Sequence, residues 1–147
     1  PHRLQRMKLS PTTQFLDRLL AQGRLPLTEN QITVTYHDPC DLGRAARVFE
    51  APRRVIRALP GVKLVEMADN REHCLCCGGG GNLEMIDQSL NAEIAKMKVD
   101  QVLATGAEAV VSGCQQCLRT MATHARRNKL PLKVMDVTQL VQACMVD

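Results

Sequence analysis

The sequence predicts an α/β fold: three layers, with an about four-stranded, mostly parallel sheet carrying helices on both faces. The first observation behind this is order. Short β-branched runs alternate with helical stretches four times, which favours parallel strands joined by helical crossovers. The second is size, since 147 residues at 45% apolar content suit a single domain with a proper core. The third is the near-absence of aromatics. Phe15, Phe49, Tyr36 and no Trp leave the core aliphatic and methionine-filled.

The elements follow in order. Residues 1–9 show no period and read as a frayed lead-in. Ser10-Pro11 offers a hydroxyl cap and a first-turn proline, Phe15, Leu16, Leu19 and Leu20 make one apolar face, and Gly23 stops the helix. Ile32 to Tyr36 is a strand that must end near Pro39, which cannot donate to a ladder. A short helix is expected over 41–49. A second, with Pro52 in its first turn, turns Val55, Ile56 and Leu59 inward and breaks at Pro60-Gly61. Val62 to Met67 is the next strand. One long helix is expected after the glycine run, with Leu83, Ile86, Leu90, Ile94 and Met97 on its apolar face. Ala109 to Ser112 is a strand, Gln115 to Asn128 a helix and Leu132 to Met135 the last strand. Asp136 with Gln139 forms a capping box for a final helix carrying Leu140 and Val141.

Charge excludes some partners. The formal net charge of +4 is modest and scattered, and the densest basic stretch, Arg53, Arg54 and Arg57, reads as one solvated helix face. With so few stacking aromatics, nucleic acid is not an expected partner. No apolar run reaches the roughly 20 residues that span a bilayer, and no signal segment opens the chain. The expected address is cytoplasmic, with peripheral membrane association through a partner left open. The start at Pro1 reads as a piece of something longer.

The seven cysteines carry the chemistry. Their number is odd, and Cys76 and Cys77 are adjacent, a pairing that strains a disulfide ring. Metal is favoured over a disulfide framework. Cys40 follows the first strand, Cys76-Cys77 the second and Cys114 the third, with Cys117 one turn into the next helix. In a parallel sheet these positions share the carboxyl edge, where ligands bind. The same edge presents helix N-termini, which favour an anionic group, and a Cys-x-x-Cys at a helix start is expected to have lowered thiol pKa. Gly78, Gly79, Gly80 and Gly81 let the backbone approach a cofactor and offer N–H groups to sulfur. The run lacks the Lys-Ser/Thr of a phosphate loop. Cys74 is expected to pack or lie free, and Cys144 to be core. Cys114-Gln-Gln-Cys117 alone would suit zinc equally well.

One Cys, then Cys-Cys-Gly, then Cys-x-x-Cys, at intervals of 35 residues (Cys40 to Cys76) and 36 residues (Cys77 to Cys114), resembles the cysteine-rich CCG domain. His37-Asp38-Pro39-Cys40 and Cys76-Cys77-Gly78-Gly79-Gly80-Gly81 match that family as well. It includes the B and D polypeptides of heterodisulfide reductase and the iron–sulfur subunits of glycolate, lactate and glycerol-3-phosphate oxidoreductases. The likeness covers about residues 32–140 and is nearest the C-terminal of two tandem copies. It divides the chain into a helical lead-in, 1–31, and a CCG domain, 32–147. It implies that Cys40, Cys76, Cys77, Cys114 and Cys117 hold a noncubane 4Fe-4S cluster, for electron transfer or disulfide reduction. A second CCG domain and a ferredoxin-like or flavin subunit are the implied partners. His37 is a candidate proton donor or orienting group, and Arg44, Arg47 and Arg119 candidates for balancing cluster charge. The alternative reading is a non-catalytic zinc or assembly module.

Overall fold

The computed structural model describes residues 10–146; the expected lead-in over 1–9 lies outside them. Four parallel strands, β1 (Ile32–Tyr36), β2 (Val62–Leu64), β3 (Ala109–Ser112) and β4 (Lys133–Asp136), form one sheet in the order β2-β1-β3-β4. The helices are α1 (Thr12–Ala21), α2 (Glu50–Arg57), α3 (Leu83–Ile86), α4 (Gln88–Ala104), α5 (Gln115–Arg127) and α6 (Val137–Gln142).

Strand alternation builds two cores. Val34 and Tyr36 of β1 and Ala109 and Val111 of β3 face one side, where Val55 and Ile56 of α2 and Leu140 and Val141 of α6 close over them. Leu16 and Leu20 of α1 pack against the same core. Val110 faces the other side, with Val99 and Val102 of α4 and Cys117 and Met121 of α5. The three-layer α/β arrangement is therefore as the alternation predicts, and Asp136 and Gln139 do form the capping box at α6.

Four details differ from expectation. The segment after Cys40 is a π-helical turn, Asp41–Ala45, in which Ala45 N–H reaches back to Cys40 C=O at 3.0 Å. β2 stops at Leu64, because Glu66 turns to an arginine and Met67 leaves to join the second core. Phe15 is half exposed rather than on the packed face of α1, which the chain presents through Leu16 and Leu20.

The largest difference is in the long helix. It breaks at Asp87, whose extended backbone (φ −144°) and side chain cap α4 by accepting from Leu90 N–H at 2.9 Å. The expected apolar face is not the buried one: Ile86 is 79% and Met97 57% exposed. The buried stripe is Ala95, Lys98, Val99 and Val102.

Candidate metal centre

The sheet order sets the place. From β1 the chain moves one way to β2, then crosses to β3 and β4 on the other side. The crevice beyond the carboxyl ends of β1 and β3 is the point where winding direction reverses, the usual ligand position of an open α/β sheet. His37-Asp38-Pro39-Cys40 leaves β1 there and Gly113-Cys114 leaves β3. The long connection after β2 brings Cys76 and Cys77 to the same crevice.

Cys40, Cys76, Cys77, Cys114 and Cys117 all line one small cavity, of about 80 Å³, with His37, Arg44 and Gly80 among its other walls. Cys77 and Cys117 form its buried floor, and Cys40 and Cys76 its exposed rim. A larger cavity of about 590 Å³ lies along α4 and α5, but no cysteine lines it.

The glycine run shapes the loop in distinct ways. Gly78 N–H donates to Cys76 Sγ at 3.3 Å and Gly79 N–H to Cys77 Sγ at 3.4 Å. Gly78 has φ +83°, a conformation a side chain resists, and its carbonyl accepts from Asn91 Nδ2 at 2.8 Å. A Cβ on Gly79 would overlap Thr120 Oγ1 of α5, so the loop can lie this close to α5 only with glycine. Of the four glycines only Gly80 lines the cavity. Gly81 has open space around it. Five thiols facing one space, with backbone N–H groups already directed at two sulfurs, suit a multi-iron cluster with thiolate ligands.

The floor is electrostatically coupled. A hydrogen bond from the Cys117 thiol holds the Cys77 pKa well below the usual thiol range, against its burial, with help from His37 and Gly79 N–H. The same bond to Cys77, together with burial, pushes Cys117 up. The lowered pKa expected for a Cys-x-x-Cys at a helix start thus does not appear at Cys117, because its neighbour takes the charge. Burial pushes the Cys40 thiol up, and Asp41 adds to this.

His37 is buried, with Nδ1 3.5 Å from Cys74 Sγ. Burial alone would lower its pKa, but hydrogen bonding to Cys74 and Cys77 more than offsets this and raises it. One nitrogen of His37 and the sulfurs of Cys77 and Cys117 lie within 4.8 Å of one another. Cys74 is buried beneath the cavity rather than in its wall, and Cys144 is in the first core. Of the three arginines singled out, Arg44 lines the cavity and donates to Cys74 C=O at 2.7 Å. Arg119 pairs with Glu84, and Arg47 lies in a separate surface hollow beside α2.

Sequence reasoning missed two buried cations. Arg53 is not on a solvated face: it is fully buried, bidentate to Asp38 at 2.7 and 2.8 Å, and bonded to Glu66 at 2.7 and 3.0 Å. Asp38 also accepts from Arg71 N–H at 2.8 Å. This network fixes the backbone between β1 and Cys40. Lys98 of α4 is likewise fully buried, beside Cys74. The signal for it was the competing stripe Ala95, Val99, Val102, on which Lys98 falls.

The family model for the CCG cysteine-rich domain matches residues 34–122, more than half of the chain, and the chain belongs to that family. It is 37% identical over 135 residues to the probable iron-sulfur-binding oxidoreductase FadF of Bacillus subtilis, covering 88% of this chain and 19% of that protein. It is 48% identical over 104 residues to a probable membrane-anchored ferredoxin of Chromohalobacter salexigens, covering 70% of this chain and 15% of that one. Against a dihydromethanophenazine:CoB–CoM heterodisulfide reductase polypeptide of Methanosarcina acetivorans, the one designated D, identity is 38% over 130 residues, with 88% and 32% covered. The chain thus spans a third or less of these relatives. Among the described residues, no helix is long and apolar enough to cross a membrane.

Proposed function

We propose that this chain is an iron–sulfur-cluster-binding domain of an oxidoreductase subunit, with Cys40, Cys76, Cys77, Cys114 and Cys117 as ligands of a noncubane 4Fe-4S cluster. The observation that carries the reading is that all five cysteines, brought from separate stretches of chain, line one cavity at the switch point of the sheet. The names of the relatives support the oxidoreductase class. When bound, the cluster supplies one-electron chemistry and an iron able to take a substrate sulfur.

The chain's own residues prepare that site. Gly78 and Gly79 N–H groups direct partial positive charge at Cys76 and Cys77, stabilising thiolate. The Arg53–Asp38 pair holds the Cys40 loop, and Thr120 with the glycine run sets how deep the Cys76-Cys77 pair sits. The exposed rim at Cys40 and Cys76 leaves one side open to a second CCG domain, which completes the site for electron transfer or disulfide reduction. A ferredoxin-like or flavin subunit is the electron partner, and the domain works on the cytoplasmic side, with such a partner able to bring it to a membrane.

The test is anaerobic preparation with iron and acid-labile sulfide measured per chain. About four of each, with Cys76→Ser and Cys77→Ser each losing the native visible and EPR spectra, is the expected result. A colourless chain with one zinc and no sulfide ends the cluster reading. That outcome belongs to a second reading, a zinc module, which the close approach of His37, Cys77 and Cys117 favours. His37→Ala separates them: it weakens zinc binding and leaves a five-cysteine cluster in place.

A further inference from the structure

Lys98 has no place in the ligand set, yet it is among the most deeply buried side chains of the protein. Its ammonium sits 3.4 Å from Cys74 Sγ, 3.6 Å from Met67 Sδ and 3.1 Å from Gln101 Oε1. Among the described residues it makes no ion pair with a carboxylate, and the nearest acid in the network, Asp69, is bonded to Gln101 Nε2 instead. A buried cation whose close partners are a thiol, a thioether and an amide is unfavourable beside one paired with a carboxylate, and a structural role would be served better by Met or Leu at this point of the α4 stripe.

The sulfur it touches leads to the site. Cys74 Sγ contacts His37 Nδ1 at 3.5 Å, and a His37 nitrogen lies within 4.8 Å of the Cys77 and Cys117 sulfurs. Lys98, Cys74 and His37 therefore form a buried line from the middle of α4 to the floor of the cysteine cavity. The line is shut away from the protein surface: all three residues are at most 2% exposed. A charge held here is little screened by solvent or salt.

We propose that Lys98 is a positioning residue for the cluster: a fixed buried cation that, through the Cys74–His37 line, stabilises the more negative reduced state and raises the reduction potential. The assignment rests on the cluster reading above. An anionic cluster over Cys77 and Cys117 gives the ammonium the counter-charge that no carboxylate provides. Each added electron makes the site more negative, so attraction to a fixed cation grows on reduction.

The test is an EPR-monitored redox titration of the anaerobically reconstituted chain, with iron and sulfide counted in every sample. Lys98→Met removes the charge and keeps the packed stem. Gln101→Glu keeps the ammonium and sets a carboxylate beside it, which serves if the first variant does not fold. Both are expected to carry full iron and to titrate at a lower potential than the unaltered chain, and Lys98→Arg to stay close to it. Loaded Lys98→Met or Gln101→Glu chains titrating at the unaltered potential would overturn the assignment while leaving the cluster reading intact. Failure of the unaltered chain to hold iron and sulfide would overturn both.

Discussion

At the scale of single residues, the loop glycines divide sharply by what a methyl group would meet. At Gly79 a Cβ would overlap Thr120 Oγ1 and press on Gln116, whereas at Gly80 nothing lies within 4 Å. Gly79→Ala is therefore expected to push the loop off α5, lengthen the Gly79 N–H contact to Cys77 and lower the iron content substantially. Thr120→Ala in the same chain should restore part of it, since it removes the obstructing oxygen. Iron per chain after identical reconstitution reads both, and loading of Gly79→Ala equal to that of the unaltered chain would show that the close approach to α5 is not needed.

The Asp38–Arg53 pair belongs to the same scale. Both side chains are out of water. Losing Asp38 leaves Arg53 still paired with Glu66, whereas losing Arg53 leaves the buried Asp38 carboxylate without its cation, a loss of about 3–5 kcal/mol. That is a large share of the roughly 5–15 kcal/mol that holds a domain of this kind together. Arg53→Met should thus lower the urea midpoint steeply, and Asp38→Ala less so, because Glu66 still holds Arg53. The double variant Asp38→Ala with Arg53→Met should be less destabilised than the sum of the two single changes, because neither charge is then stranded. Strict additivity would show that the pair is not coupled.

At the scale of elements, the inner strands and the last capping box were legible, whereas the Ser10 cap and the helix register were not: Pro11 precedes α1 and no side chain caps it. β1, β3 and the α6 capping box stand where β-branched runs and the Asp136/Gln139 spacing predict them, since both signals are local. The stripe Leu83 to Met97 misled because apolar residues at helical spacing do not say which face a partner covers. Ile86 and Met97 point outward, while Ala95, Lys98, Val99 and Val102 are buried, and the lysine made that stripe look polar. Arg53 misled for the same reason, its burial depending on Asp38 and Glu66, which are distant in sequence. The break between α3 and α4 rests on the Asp87 cap. Asp87→Ala should cost about 1 kcal/mol, typical of a lost N-cap. Thermal melting checks it, and Asp87→Ser, which can accept the same Leu90 N–H, should recover most of the loss.

At the scale of the whole molecule, what was legible of the site was its convergence. Cysteines placed after successive strands meet at one edge in any parallel sheet, so Cys40, Cys76-Cys77 and Cys114 could be brought together before the fold was seen. The supports beneath them, Lys98 and Asp38 with Arg53, could not, because they depend on side chains meeting across layers. Metal removal should act on these two parts of the molecule differently. The two cores are closed by strands and helices, with Val34, Val111 and Leu140 in one and Val99, Val110 and Met121 in the other. The segment 74–82 is anchored at Cys74 and at Cys77 to Gly79, while Leu75, Cys76, Gly80, Gly81 and Asn82 are all exposed. Chelating the cluster should therefore leave amide exchange in β1, β3 and the buried half of α4 unchanged, while protection in 74–82 falls by roughly tenfold or more. Hydrogen exchange read by mass spectrometry on loaded and stripped chains measures this directly. A uniform loss across both cores would mean that the metal holds the fold itself, and that the sheet and its helices do not fold independently of the site they carry.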